Sequence, residues 1–277
     1  FALDTLPECL EAEGNDTDRR AQRLALPVIV NGRIDRPGDA DVFELAGRAG
    51  DVVVAEVVAR RLDSPLDSVL KLTAADGTCV ALQDDSEDPV AGLNTHHADS
   101  LLRVTLPADG IYRLRLTDAQ HRGGGEFAYR LRVSPPQPDF ALRVVPSSLV
   151  IRSNAPAWPA VHVIRRDGFT GPIVLTLKDP PPGLSMKPVT LSGTQTMVRV
   201  GVATTMGGRR GPFQLTITGT ATNAGREIVR AAVPAEDRMQ AFLWRHLVPA
   251  EELVAQVLPV VAPKSEDKKP GAAVAGK

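Results

Sequence analysis

Aromatic side chains are scarce in this chain: 4% of 277 residues, with two Trp, two Tyr and seven Phe. Any core must be filled by Val, Leu, Ile and Ala, and no row of aromatics offers a platform for nucleic-acid bases. Cysteine is scarcer still. Cys9 and Cys79 are too few for a disulfide-built scaffold. Their spacing suits one bridge between the N-terminal segment and the first sheet, and equally two unpaired thiols. Neither sign of charge dominates: 32 basic against 33 acidic residues leave −1, so no basic surplus points to nucleic acid. No apolar run approaches the roughly twenty residues of a membrane-spanning helix. HExxH, CxxC and GxSxG are all missing, which removes the commonest zinc-enzyme and serine-hydrolase signatures. The chain opens on Phe1 without a signal peptide and reads as a piece of a longer protein.

What the chain does have is punctuation. Gly and Pro number 23 each, and they separate short β-branched runs. Val28-Ile29-Val30 leads to the turn pair Asn31-Gly32. Residues 51–58 are a Val-rich run. Residues 68–73 and 78–82 flank Asp76-Gly77, a strong hairpin signal, and residues 101–106 and 111–116 flank Asp109-Gly110 in the same way. Arg113 and Arg115 alternate with Leu114 and Leu116, which gives one wet and one buried face. Residues 127–133 close the set. This pattern predicts an all-β fold: a jelly-roll sandwich over 27–134.

Ser134-Pro135-Pro136-Gln137-Pro138 breaks the pattern, because proline cannot continue a ladder. The segment 135–139 therefore reads as a stiff linker. About seven strands follow, beginning at Phe140, which suits an immunoglobulin-like β-sandwich over 140–258. Residues 235–258 carry helical propensity but are expected to close that sandwich as strands. The tail 259–277, rich in Pro, Lys, Ala and Gly, is expected to be disordered.

Residues 1–26 are polar and read as a linker that gains order only if something ties it down. Within them Glu11, Glu13, Asn15 and Asp16 crowd together, and Asp39 and Asp41 flank the entry of a later strand. Six to eight oxygens are what a hard cation such as Ca²⁺ requires. A solvated acidic linker is the plainer reading of the same residues.

The order of several short motifs bears on the choice. Glu11-Ala12-Glu13-Gly14-Asn15-Asp16, Val30-Asn31-Gly32-Arg33-Ile34, Asp39-Ala40-Asp41-Val42-Phe43, Leu66-Asp67-Ser68-Val69-Leu70, Asp84-Asp85, Asp99-Ser100-Leu101 and Ala108-Asp109-Gly110-Ile111-Tyr112 follow one another over residues ~8–134. In this the region resembles the bacterial pre-peptidase C-terminal domain, a jelly roll found beside catalytic domains of secreted proteins. Its relatives include the collagen-binding modules of clostridial collagenases, some of which hold Ca²⁺. The resemblance implies Ca²⁺ as cofactor, with Glu11, Glu13, Asn15 and Asp16 as ligands from the strap and Asp39 and Asp41 from the strand entry. Gly14 stands where the family often has proline, which implies a floppier unbound strap. The arrangement with a following immunoglobulin-like domain is similar to large secreted or surface proteins of planctomycete-type bacteria. Expected partners are neighbouring domains of a larger protein and an extracellular protein or polysaccharide.

Two rival readings stand beside this one: a hydrolase using His96, His97 and Asp99, two of the five histidines beside an acid, and a carbohydrate- or protein-binding adhesion module. The plainer account makes Asp99 a turn cap and leaves the histidines to solvent. Asp84-Asp85-Ser86-Glu87-Asp88 reads as a solvated turn. Gly123-Gly124-Gly125 lacks the lysine of a phosphate loop and reads as a flexible hairpin tip. Trp158 and Trp244 read as core or edge residues, since no neighbouring aromatics support a carbohydrate-stacking role. The expectation is a non-catalytic accessory module, calcium-stabilised, that spaces or targets a neighbouring domain of an exported bacterial protein.

Overall fold

Alternation of apolar and charged side chains builds the first unit. In Gly110–Asp118, Tyr112, Leu114 and Leu116 are buried while Arg113 and Arg115 face outward. The computed structural model describes residues 5–86, 98–239 and 245–260, and these are all β apart from one short 3-10 turn, Arg60–Leu62. One five-stranded sheet runs β1 (Glu8–Leu10), β3 (Val28–Arg33), β10 (Ala128–Ser134), β5 (Val52–Val58), β8 (Leu101–Thr105). The other runs β2 (Gln22–Arg23), β4 (Ala40–Gly47), β9 (Gly110–Asp118), β6 (Ser68–Ala74), β7 (Cys79–Gln83). Between them lies a core that includes Val30, Phe43, Leu45, Val57, Leu70, Leu114 and Leu131. Each such fully buried side chain contributes about 1.5–3 kcal/mol.

Residues 134–139 separate this core from a second one. The second unit contains β11 (Asp139–Val145), β12 (Ser148–Ile151), β13 (Ala160–Arg166), β14 (Ile173–Lys178), β15 (Leu184–Met186), β16 (Val189–Leu191), β17 (Met197–Arg199), β18 (Val202–Thr204), β19 (Arg210–Asn223), β20 (Arg226–Met239), β21 (Arg245–Pro249) and β22 (Leu253–Val257). β13 lies between β11 and β17, antiparallel to both. β19 pairs antiparallel with β14, β20 and β22, and β12 runs parallel to β22. Within 235–258 the described residues carry the end of β20, then β21 and β22, strands as expected. Phe140, Leu142, Val161, Val163, Ile217 and Val257 are among its buried residues.

Several local expectations give way. Asn31-Gly32 is not a turn but lies inside β3. Its turn chemistry is overridden because Asn31 Oδ1 accepts from Arg130 (2.9 Å) and its amide donates to Glu8 (2.9 Å). Asp109-Gly110 is not a hairpin turn either. β8 pairs with β5 and β9 with β4 and β6, so the chain crosses between sheets here. Tyr112 holds the crossover, its hydroxyl donating to the Ala108 carbonyl (2.6 Å). Asp76-Gly77 does turn a hairpin, with Gly77 at φ 88. Cys9 and Cys79 are both unpaired, the first half-buried on the edge of one sheet and the second exposed on the edge of the other. Of the two readings for Trp158, core or edge, the structure gives the edge: 57% of its surface is exposed. Trp244 and nearly all of the tail 259–277 lie outside the described residues.

Candidate functional site

The N-terminal strap is ordered by hydrogen bonds to both sheets. Glu11 N donates to the Asn31 carbonyl (2.9 Å), and Val42 N donates to the Asn15 carbonyl (3.1 Å). Gln22 acts as a clip. Its Oε1 accepts from Ala12 N (2.8 Å) and its Nε2 donates to the Leu10 carbonyl (3.0 Å), so the open edge of β1 is closed by a side chain. Arg115 donates to the Asp16 carbonyl (3.3 Å) and pairs with Asp18 (3.1 Å). Gly14 sits at φ 90. Proline, fixed near −65°, cannot adopt that angle, so glycine here permits the turn rather than loosening the strap.

This strap lays its oxygens over the entry of β4. Asp39 and Asp41 are buried there. Asp39 Oδ2 accepts from Asp35 N (2.8 Å), and Asp41 Oδ2 accepts from the Tyr129 hydroxyl (2.6 Å). Tyr129 reaches Asp41 past Gly32, whose missing side chain is what admits it: a Cβ there would lie 2.4 Å from the Tyr129 hydroxyl and 2.7 Å from Glu11 Cβ. The Gly123–Gly125 loop is not a free hairpin tip. Gly123 packs on the Arg36 backbone, where a Cβ would lie 2.2 Å from the Arg36 carbonyl, and Gly124 N donates to the Ile34 carbonyl (2.8 Å). It buttresses the 34–39 loop from behind.

The telling feature is what lacks a partner. Buried polar atoms are almost always hydrogen-bonded. Here one carboxylate oxygen each of Glu11, Asp16, Asp39 and Asp41, and both polar atoms of the Asn15 amide, are buried without any hydrogen bond. Asn15 is only 1% exposed. Five of the six residues singled out in the sequence thus present unsatisfied atoms in one region. The sixth, Glu13, shares a hydrogen bond with Asp35, which raises its carboxyl; Asp35 itself is lowered, first by its bond to Arg33.

The electrostatics agree. Burial pushes Glu11 up to about 7, helped by the charges of Glu13, Asp35 and Asp39. Burial pushes Asp41 up to about 8, against the bond from Tyr129 and with the charges of Glu11, Asp39 and Glu13. Like charges held together out of water disfavour ionisation in this way. Two cations border the cluster: Arg36, bonded to Asp16 and 3.6 Å from Asp39 Oδ1, and Arg33, paired with Asp35. Among the described residues, no three carboxylate, imidazole or thiol groups already stand together as a closed metal site. The guanidinium of Arg36 lies between two of the acids, Asp16 and Asp39. The donor set, with carboxylates and an amide and no nitrogen or sulfur ligand, fits a hard cation. The sequence reading did not assign Asp35, Arg36, Gly32 or Tyr129 to this site. A tyrosine four residues after a glycine triplet carries no signal for reaching an aspartate in the opposite sheet.

Beside this cluster a groove of about 570 Å³ opens between the strap and the 3-10 turn, lined by Glu11, Glu13, Leu10, Leu62, Asp63 and Arg130 among others.

The alternative catalytic loop fares differently. His96 and His97 lie outside the described residues. Asp99 is buried and fully engaged: it accepts from Ala59 N (3.0 Å), Arg60 N (2.7 Å), Arg61 N (3.3 Å) and Arg61 Nε (2.7 Å). It caps the Arg60–Leu62 turn and has no lone pair to spare as a catalytic base.

No protein-family model matches the chain. Over 83 residues it is 37% identical to a probable subtilase-type serine protease of Deinococcus radiodurans, covering 30% of this chain and 10% of that protein. The chain thus spans about a tenth of this curated relative. Among solved structures it is similar to the pre-peptidase C-terminal domain of a collagenase from Bacillus anthracis, with 15% identity, TM-score 0.31, and coverage of 41% of this chain and 94% of that one. It is also similar to an FMN-binding beta-glucuronidase from Facaelibacterium prausnitzii, with 14% identity, TM-score 0.35, and coverage of 72% and 33%. Neither superposition is close enough to carry an argument.

Proposed function

We propose that this chain is a non-catalytic accessory segment of an exported bacterial protein, in which Ca²⁺ ties the N-terminal strap to the first sandwich. The observation that carries this reading is the set of buried, unpartnered oxygens on Glu11, Asn15, Asp16, Asp39 and Asp41. Glu13 would complete the set on exchanging its hydrogen bond with Asp35 for the ion. The ion would supply the positive charge that these carboxylates lack, fixing the strap and therefore whatever precedes it. Arg36 acts as a stand-in cation and must yield Asp16 and Asp39. The partial likeness to a probable protease, restricted to a small share of that protein, supports a module placed beside a catalytic region. The pairing of β11 with β13, β13 with β17 and β12 with β22 supports an immunoglobulin-like reading of the second unit. Engagement of Asp99 supports the absence of a hydrolytic site in that loop.

Titration calorimetry with Ca²⁺ tests this directly. The expected result is saturable binding with release of protons, weaker for Mg²⁺, and stronger in Arg36→Gln, which removes the competing cation. Absence of binding heat in both chains would refute it.

A further inference from the structure

We infer that the outer face of β11, β13 and β17 binds an anionic polysaccharide, with Trp158 as the stacking platform. The inference goes beyond the calcium reading and lies on the other unit.

Strand register places the parts. Ala160 pairs with Arg199, and Ala157 with Val202, so Trp158 stands opposite Gly201. The neighbouring Val161, Val163, Val200 and Val202 all point into the core, which puts Trp158, Arg199 and Gly201 together on the outside. The indole lies against Gly201: a Cβ there would come within 3.0 Å of two ring carbons. Gly201 thus provides the flat seat, and the opposite face of the ring meets water, with 57% of the residue exposed. A large apolar ring in so aromatic-poor a chain, seated on a glycine and left open, suits the weakly positive C–H face of a sugar ring.

The charges placed on this face are the guanidinium groups of Arg199 and Arg143. Arg199 stands two residues from the Gly201 seat, about 7 Å along the strand. Arg143 lies on the adjacent strand, about 13 Å along from Trp158, on the same face. It is half-buried; among the described residues its Nε has no partner, and its NH1 reaches its neighbour's carbonyl at Leu142 (3.3 Å). Among the described residues, neither Arg143 nor Arg199 has a carboxylate within reach. The acid in these three strands, Asp139, is taken by Arg230 (2.7 Å). A half-buried arginine without a counter-ion is costly unless something brings one. Guanidinium groups match carboxylate and sulfate oxygens by paired hydrogen bonds. Stacking for the ring and unpaired guanidinium for the acid together describe an acidic glycan. An acidic protein surface would satisfy the arginines but not the exposed, glycine-seated indole.

The test is affinity electrophoresis of the full chain through gels carrying polygalacturonate, chondroitin sulfate, dextran or polyglutamate. The expected result is retardation by polygalacturonate, chondroitin sulfate or both, none by dextran, and no change with chelator. Trp158→Ala and Arg199→Ala, both at exposed positions, should each weaken binding about tenfold. Should Trp158→Ala reduce folding, as read from its melting curve, the Arg199→Ala and Arg143→Gln variants still decide. The inference is overturned if neither acidic glycan retards the chain, or if Trp158→Ala folds and binds as tightly as the parent. Polyglutamate binding equal to polygalacturonate and indifferent to Trp158 also overturns it, in favour of an acidic protein partner.

Discussion

At the scale of single residues, the candidate site is a charge problem. Asp41 is buried, bonded to Tyr129 and surrounded by other acids, so its carboxyl holds a proton well above the usual range, near 8. Glu11 does the same near 7. Both groups bind protons more tightly folded than unfolded. The stability they confer is therefore complete below their unfolded values, near 4, and is lost as pH rises through about 7 to 8. The melting temperature of the metal-free protein should fall between pH 5 and 8.5, and Asp41→Asn should flatten that fall. A metal-free melting temperature that rises across this interval would contradict the assignment. Calcium should oppose the fall, because it replaces the protons these carboxylates otherwise keep.

At the scale of elements, the strap is the piece that moves the argument. Gln22 closes the β1 edge by two bonds to the backbone of Leu10 and Ala12. Gln22→Ala leaves both backbone groups to water and should cost about 1 kcal/mol while loosening residues 8–16. Hydrogen exchange would show this as faster exchange at Ala12 with little change in the β4–β9 pair. Much of this level was legible in the sequence. Alternation in 110–118, the Asp76-Gly77 hairpin and the proline break after Ser134 all read as they fold, because each depends on local chemistry. The crowd of Glu11, Glu13, Asn15 and Asp16 was legible as a cluster, and Asp39 and Asp41 as its opposite wall. What was not legible depends on distant contacts. Asn31-Gly32 looks like a turn until Arg130 and Tyr129 arrive from β10 to use its amide and its missing side chain. Asp109-Gly110 looks like a hairpin until β8 and β9 choose partners in different sheets. Trp158 could be core or edge until Gly201 is found beneath it.

At the scale of the molecule, a line of alternating charges joins the two units. Asp99 holds Arg61, Arg61 pairs with Glu56 (3.0 Å), Glu56 with Arg132 (2.9 Å), and Arg132 with Asp167 (2.7 Å) of the second unit. Asp167 Oδ2 also accepts from Gln137 N (2.8 Å) in the proline-rich connector. Arg132 and Asp167 are both largely buried, so this pair is screened less than a surface bridge. The bond from Arg132 helps hold the Asp167 carboxyl below its ordinary value despite burial. A spacer that holds its neighbours at a set angle would use such a joint. Asp167→Ala leaves Arg132 half-compensated and frees the connector. Small-angle scattering should then report a larger and more variable maximum dimension, with both units still folded. An unchanged scattering curve would show that the connector alone sets the angle.

Scanning calorimetry of the full chain at pH 7.5, in millimolar Ca²⁺ and then in chelator, tests the central claim most directly. Calcium is predicted to raise the melting temperature by several degrees, about 2–4 °C for each kcal/mol of binding free energy. An Asp39→Asn, Asp41→Asn double variant should lose that rise and melt in chelator no lower than the parent. Superimposable curves in calcium and chelator for the parent chain would contradict the account.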